Sequence, residues 1–272
     1  MMRVGVYTIT LVLLLSSAIV MLPFHMEPVN AAAEMRLLSD TGYVDPSGNY
    51  HVVGEILNTG DEAAKYVIVN VTFYDSQNAF ITDRIDLTML NVVMAQRKSP
   101  FDVALLDAAL SARVDHYAIS TSFTRGDPLD ASLEISAHNS YLDDDGNMHI
   151  SGEIRNLASK TALNVKLVAT YYNDTGRVVA AALAYLDPIE RNLDPGSQRP
   201  FNILVGWDRT PYVSSYELTA ESTESTVVPE FLSLKLEMAY FAILSITAVV
   251  LARCKTHRLR VLPTSNSKRK KL

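Results

Sequence analysis

The side chains most ready for chemistry are the acidic run Asp143-Asp144-Asp145-Gly146-Asn147 and the histidines His51, His116 and His149. Clustered carboxylates suit a hard cation such as calcium, but an EF-hand loop sets a glycine sixth and a chelating glutamate twelfth. Counted from Asp143, Gly146 comes fourth and the twelfth residue is Ile154. Aspartate, glycine and asparagine are also what a hairpin turn uses, and the run reads as a solvated turn. Zinc needs three or four ligands at close range. His51 and His149 are separated by 98 residues and His116 stands apart from both, so these read as surface strand residues. No G-x-S-x-G, no H-E-x-x-H and no phosphate-cradling glycine loop occurs. The sequence therefore assigns no catalytic residue, no metal ligand and no cofactor, and a non-catalytic protein is expected. Two N-x-[ST] acceptors for glycosylation remain, Asn70-Val71-Thr72 and Asn173-Asp174-Thr175.

The elements that position these residues are repeated. Tyr43, Gly48, Asn49, His51, Gly54, Glu55, Ile56 and Asn58 recur 98 positions later as Tyr141, Gly146, Asn147, His149, Gly152, Glu153, Ile154 and Asn156. Thr72 and Tyr74 match Thr170 and Tyr172 at the same spacing, while Pro100-Phe101 matches Pro200-Phe201 at 100, so two residues enter a loop between. Within the first copy Val67, Val69, Val71 and Phe73 alternate with Ile68, Asn70, Thr72 and Tyr74, the period of a strand with one apolar face. The second copy turns Val165, Leu167, Ala169 and Tyr171 inward and, on this reading, Lys166 and Thr170 outward. Asp45–Asn49 and Asp143–Asn147 are turns leading into strands His51–Leu57 and His149–Arg155. A short helix fits within Ala104–Arg113, and Pro211 argues against one at the matching place. Short strands and turns at this spacing predict an all-β chain of two tandem antiparallel β-sandwich domains, residues 34–123 and 131–220. Thr124–Asp130 is the expected joint, and residues 221–230 read as a polar stalk.

The ends differ from the middle. Arg3, the uncharged run Val4–Leu22 and Ala31-Ala32-Ala33 form the three parts of a signal peptide over residues 1–33, with an uncleaved signal anchor as the alternative. Near the other end the apolar run Met238–Ala252, extended back to Phe231, reads as a transmembrane helix over 231–252, with Lys235 and Glu237 at its outer edge. Eight cations and no acid follow over residues 253–272, which places this tail on the cytoplasmic side. Between Glu34 and Glu230 there are 28 acidic residues against 14 basic, a net charge of −14, which excludes nucleic acid as a partner by phosphate neutralisation. The single cysteine, Cys254, lies beside the apolar run, so the exported part holds together without disulfides.

The string Gly54–Asp75, G-E-I-L-N-T-G-D-E-A-A-K-Y-V-I-V-N-V-T-F-Y-D, resembles the FxLYD-type module of prokaryotic surface proteins. Gly152–Asn156, Tyr171–Gly176, Ser99–Phe101 and Arg199–Phe201 continue the likeness over most of residues 35–220. It implies an immunoglobulin-like sandwich with no set of catalytic residues. Asn173 stands where the first copy has Asp75, so that acid is not a shared functional group. Val228-Pro229-Glu230-Phe231, followed by an apolar run and cations, resembles the P-E-F sorting signal of archaeal surface proteins, which makes Pro229, Glu230 and Phe231 candidate recognition residues for a sortase-like transpeptidase. The expected protein is a single-pass, membrane-anchored element of the cell envelope, its ectodomain outside, contacting lipid through its span and a surface protein or polysaccharide through its modules. An accessory or sensor subunit of a membrane complex is the alternative.

Overall fold

The computed structural model describes residues 33–228 apart from residue 188. The signal-peptide region, the sorting motif, the span and the basic tail fall outside the described residues, save Ala33. The described residues form an all-β architecture of antiparallel sheets. Among them no helix is long and apolar enough to cross a membrane.

In the first repeat β1 (Met35–Val44), β2 (Tyr50–Asn58) and β6 (Lys98–Leu105) make a three-stranded sheet. The second sheet centres on β3 (Ala64–Tyr74), flanked by β4 (Phe80–Leu87) and the short β5 (Val92–Val93), and by β7 (His116–Arg125). The period-two reading of β3 holds: Val67, Val69, Val71 and Phe73 are buried and Ile68, Asn70, Thr72 and Tyr74 are not. They pack against Val52, Ile56, Phe101, Val103 and Leu105 of the facing sheet. Each such side chain contributes about 1.5–3 kcal/mol when removed from water. Gly54 has no side chain because a Cβ there would sit 2.5 Å from the Phe101 ring, and Gly152 stands 2.7 Å from Phe201 in the same way. The short helix falls where expected, as α1 (Ala108–Ser111), with the Asp107 carboxylate accepting from the amides of Ala109 and Leu110.

The second repeat supplies β8 (Asp130–Leu142), β9 (Met148–Asn156), β10 (Lys166–Tyr172), β11 (Val178–Tyr185), β12 (Gln198–Val205) and β13 (Ser215–Glu221). Where α1 stands in the first copy, Pro211 lies in a single 3-10 turn, Thr210–Tyr212. Leu133, Ile150, Ile154, Phe201 and Ile203 meet Val165, Leu167, Ala169 and Tyr171 in a second buried cluster.

Two expectations are corrected. Residues 221–227 are not a stalk. After β13 the chain turns back as β14 (Ser225–Val227), antiparallel to β13 and parallel to β8, and so joins the strands of this repeat into one seven-stranded sheet. The hydroxyls that made the segment look solvated are satisfied inside: Ser132 donates to Ser225 at 2.8 Å and Ser222 accepts from the Ser225 amide at 2.8 Å. Lys166 and Thr170 do not face solvent either. Every residue of β10 is buried, because its outer face is covered by the first repeat.

Candidate functional site

The turn that raised the calcium question is built alike in both repeats. Asp143 accepts from the amides of Asp145 and Asn147 and from the Asn147 side chain, as Asp45 does from Ser47, Asn49 and the Asn49 side chain. Gly146 takes φ +82°, the left-handed conformation that closes such a turn. The hydrogen bond from Asn147, then that from His149, pulls the Asp143 carboxyl down to about 2. Its oxygens are thus spent on the turn. Among the described residues no group of three or more His, Cys, Asp or Glu side chains could hold a metal ion.

His51 and His149 are less exposed than surface strand residues would be. Each imidazole stacks on the repeat's tyrosine, His51 on Tyr43 at 5.1 Å and His149 on Tyr141 at 4.9 Å. Each is also engaged at both nitrogens: His51 by Asp102 at 2.9 Å and Asp45 at 3.6 Å, His149 by Asn202 at 3.2 Å and Asp143 at 3.1 Å. The Asp102 hydrogen bond raises the His51 pKa against the opposing effect of burial. His116 lies apart, stacked on Tyr74 and bonded to Asp115 and Asn78.

The two sequons fall in different settings. Asn70 sits mid-strand between Ile85 and Ser120, half-buried, its amide oxygen enclosed and without a partner among the described residues. Asn173 opens the β10–β11 turn, where its oxygen accepts from Thr175 and Arg177, and Asp174 and Thr175 are exposed.

The densest group of ionisable side chains lies between the two repeats. Glu55 of β2 is buried. It accepts from the Tyr172 hydroxyl at 2.7 Å and faces the Lys98 ammonium at 3.3 Å. Lys98 also reaches Tyr172 at 3.1 Å and Glu217 of β13 at 2.5 Å. Burial pushes the Glu55 carboxyl up, opposed by the Tyr172 hydroxyl and by Lys98. Burial, then Glu55, keeps the Tyr172 hydroxyl protonated far above the ordinary tyrosine range. Beside this cluster Tyr172 and Val178 pack on Val53, with Tyr43 against them. Val178 is also gripped through its backbone, accepting from the Thr41 hydroxyl at 2.6 Å and donating to the Ser39 hydroxyl at 3.1 Å. The Arg209 guanidinium closes one margin, 3.8 Å over the Tyr43 ring.

A second buried pair, Lys166 and Glu221, pairs at 3.2 Å. It lies under the entry to β5, where the Asn91 and Val92 amides donate to Glu221 at 2.9 and 3.0 Å while Lys166 donates to the Asn91 side chain at 2.9 Å. What this arrangement does is hold one repeat against the other. The bonds from Tyr172 to Glu55, from Lys98 to Glu217 and from the Asn91 and Val92 amides to Glu221 form only in this docked arrangement.

The motif reading missed these residues. One signal was present in the sequence. Ile68 and Ser122 face each other across the first repeat's strands, and their counterparts Lys166 and Glu221 do so in the second, so two neutral residues become an opposite-charge pair in one copy only.

The described residues define an all-β protein of mainly antiparallel sheets. No family model matches the chain, and no curated protein matches it. Among solved structures it is similar to red sea bream transglutaminase, at 8% identity and a TM-score of 0.23, over 72% of this chain and 31% of that one. It is also similar to Amycolatopsis orientalis exo-chitosanase, at 11% identity and TM-score 0.25, over 70% and 26%. A calcium-binding mutant of Bacteroides uniformis beta-glucuronidase 2 stands at 12% and 0.26, over 70% and 27%. The chain thus spans about a third or less of these proteins.

Proposed function

We propose that this chain is a non-catalytic, membrane-anchored interaction or structural protein of the cell envelope, acting outside the cell through two immunoglobulin-like β-sandwich modules. The observation that carries the reading is how the polar groups at the contact are used. Across the repeats Tyr172 donates to Glu55, Lys98 pairs with Glu217, and the Asn91 and Val92 amides donate to Glu221, while Glu55–Lys98 and Lys166–Glu221 pair within one repeat each. They build a rigid two-module unit with broad exposed sheet faces. The signal-like start, the apolar run 231–252 and the cationic end support export and anchoring, with Pro229, Glu230 and Phe231 as the sorting motif. Asn173, at its turn, is the better placed of the two glycosylation acceptors.

The test is made on intact cells carrying the full chain with one epitope tag after Leu272 and one in the exposed turn at Asp174–Gly176. Surface labelling of the turn tag, with the terminal tag reached only after permeabilisation, supports the anchored reading. Loss of the terminal tag with the turn tag kept at the surface supports sorting. A turn tag that antibody never reaches on intact cells refutes the extracellular assignment. Cross-linking on the same cells separates an envelope partner from a membrane-complex partner, which would mark an accessory or sensor subunit.

A further inference from the structure

The contact between the repeats is heterologous: the β2–β6 face of the first repeat meets the β10–β11–β13 face of the second. Each repeat has both kinds of face. One of each therefore stays unused, the β3–β4–β7 face of the first repeat and the β9–β12 face of the second. From the way these two faces differ from the joined pair, we infer that the free face of one chain takes the free face of a second copy, repeating the internal contact from chain to chain.

The residues correspond position by position. Tyr172, whose hydroxyl donates to Glu55, is matched by Tyr74, and Glu55 by Glu153. Both members of that bond are thus present on the free faces. Val178, fully buried in the internal contact, is matched by Phe80, which opens β4 as Val178 opens β11 and is 61% exposed. Thr41, which holds Val178, is matched by Asn139, the residue opposite Ser151 as Thr41 is opposite Val53.

The charges change in concert. Lys98 pairs with Glu217 across the internal contact, and their counterparts, Gln198 and Ala118, are both neutral. Gln198 lies against Glu153, as Lys98 lies against Glu55. The charged pair Lys166 and Glu221 is replaced by the neutral Ile68 and Ser122 on the sheet, and the loop matching that of Asn91 carries Ile189, 96% exposed, beside Glu190 and Arg191. The solvent-facing Ile189 of one free loop and Ile68 of the other free face, which stands where the internal contact has Lys166, are complementary to one another. Ile85 and Leu87 extend the apolar area on β4. Because the two faces are different surfaces, the contact is head-to-tail and continues from chain to chain instead of ending at a pair.

The inference concerns the exposed faces named under the proposed function, but its test reads self-association alone. Surface display and assembly can therefore fail independently. The full chain, with Cys254 replaced by serine, is purified in mild detergent carrying Ala79→Cys, exposed beside an intact Phe80, and Asn139→Cys and treated with a short bis-maleimide. Expected is a ladder of dimer, trimer and longer species, absent from either single-cysteine chain. Phe80→Lys in the unmodified chain is expected to weaken association at least about tenfold by sedimentation, as loss of a central aromatic anchor does. A double-cysteine chain that stays monomeric, while both cysteines react with a mono-maleimide, overturns the inference. Dimers without longer species overturn it too, since a closed pair is not a head-to-tail contact.

Discussion

Tyr171 and Tyr172 are neighbours on β10, yet their hydroxyls meet opposite fates, and phenylalanine at each should move stability in opposite directions. The Tyr172 hydroxyl donates to Glu55 at 2.7 Å and accepts from Lys98 at 3.1 Å. Hydrogen bonds to charged groups are each worth about 1.5–3 kcal/mol, and removing this one leaves a buried carboxylate short of a donor. Tyr172→Phe should therefore cost about 2–3 kcal/mol, a fall of about 4–12 °C in Tm for a folded region of this size. The Tyr171 hydroxyl is buried with no hydrogen-bond partner among the described residues. Deleting it removes a desolvation penalty and leaves only a small void, so Tyr171→Phe should be neutral or stabilising by up to about 1 kcal/mol. Tyr74→Phe, measured at a concentration that keeps the chain monomeric, is the internal control: the same repeat position as Tyr172, but stacked on His116 at 5.3 Å and away from Glu55, with an expected change within about 0.5 kcal/mol. Thermal unfolding of the full chain in detergent, followed by near-ultraviolet circular dichroism, gives all three. If Tyr172→Phe melts with the unaltered chain, or Tyr171→Phe falls as far as Tyr172→Phe, the account of the inter-repeat cluster is wrong.

Lys98→Met, which strands Glu55, should destabilise by about 3–5 kcal/mol, whereas Glu55→Gln should cost far less in a urea titration. Burial raises the folded pKa of Glu55 above the ordinary 4.5, so the folded chain holds that proton more tightly and stability falls as pH rises across the interval; Glu55→Gln should remove this slope. For His51, raised above 6.5 by Asp102, the stabilisation is complete below 6.5 and lost as pH climbs through the folded value; Asp102→Asn should return the NMR titration of His51 toward 6.5 and abolish the effect. Val69→Asp puts a carboxylate in a fully buried position and should unfold the first repeat, while Asn70→Asp, half-buried, should leave a cooperative melt; equal melting points would break the β3 register. Proteolytic nicking at residues 126–129 should leave two fragments that elute together on size exclusion, and separation without denaturant would show that the buried pairs do not hold the halves.

The strands and their inward faces were legible because period-two alternation and a 98-residue repeat report on one module at a time. Val67 to Phe73, and Val165 to Tyr171, point where the alternation places them. The outward face of β10 was not legible by the same rule. A polar residue alternating with apolar ones reads as solvated, and Lys166 and Thr170 are covered by another part of the chain that no local pattern names. The segment 221–227 failed for a related reason. Serine, threonine and glutamate look solvated when no partner is in view, and here the partners are Ser132, Lys166 and the Asn91 loop. Glu55 was visible as a repeated residue but not as a buried one, since only its contact with Tyr172 gives it that role. Comparing the copies for paired departures, as at 68/122 and 166/221, is what exposes such contacts.

The placement of β14 has a mechanical consequence. The polypeptide leaves the described region through this three-residue strand, which runs parallel to β8 and is wedged between it and β13. Tension on the downstream chain along the strand axis acts on the β14–β8 hydrogen bonds in shear, so they resist together instead of opening one by one. Yielding of that latch would free the edges of β13 and β8 and uncover Glu221 beneath the Asn91 loop, loosening the joint between the repeats as well. A pull on the chain beyond β14 would thus be felt first at the seam of the second repeat and next at the joint with the first, as a graded release whose onset is governed by the unfolding rate more than by the equilibrium stability.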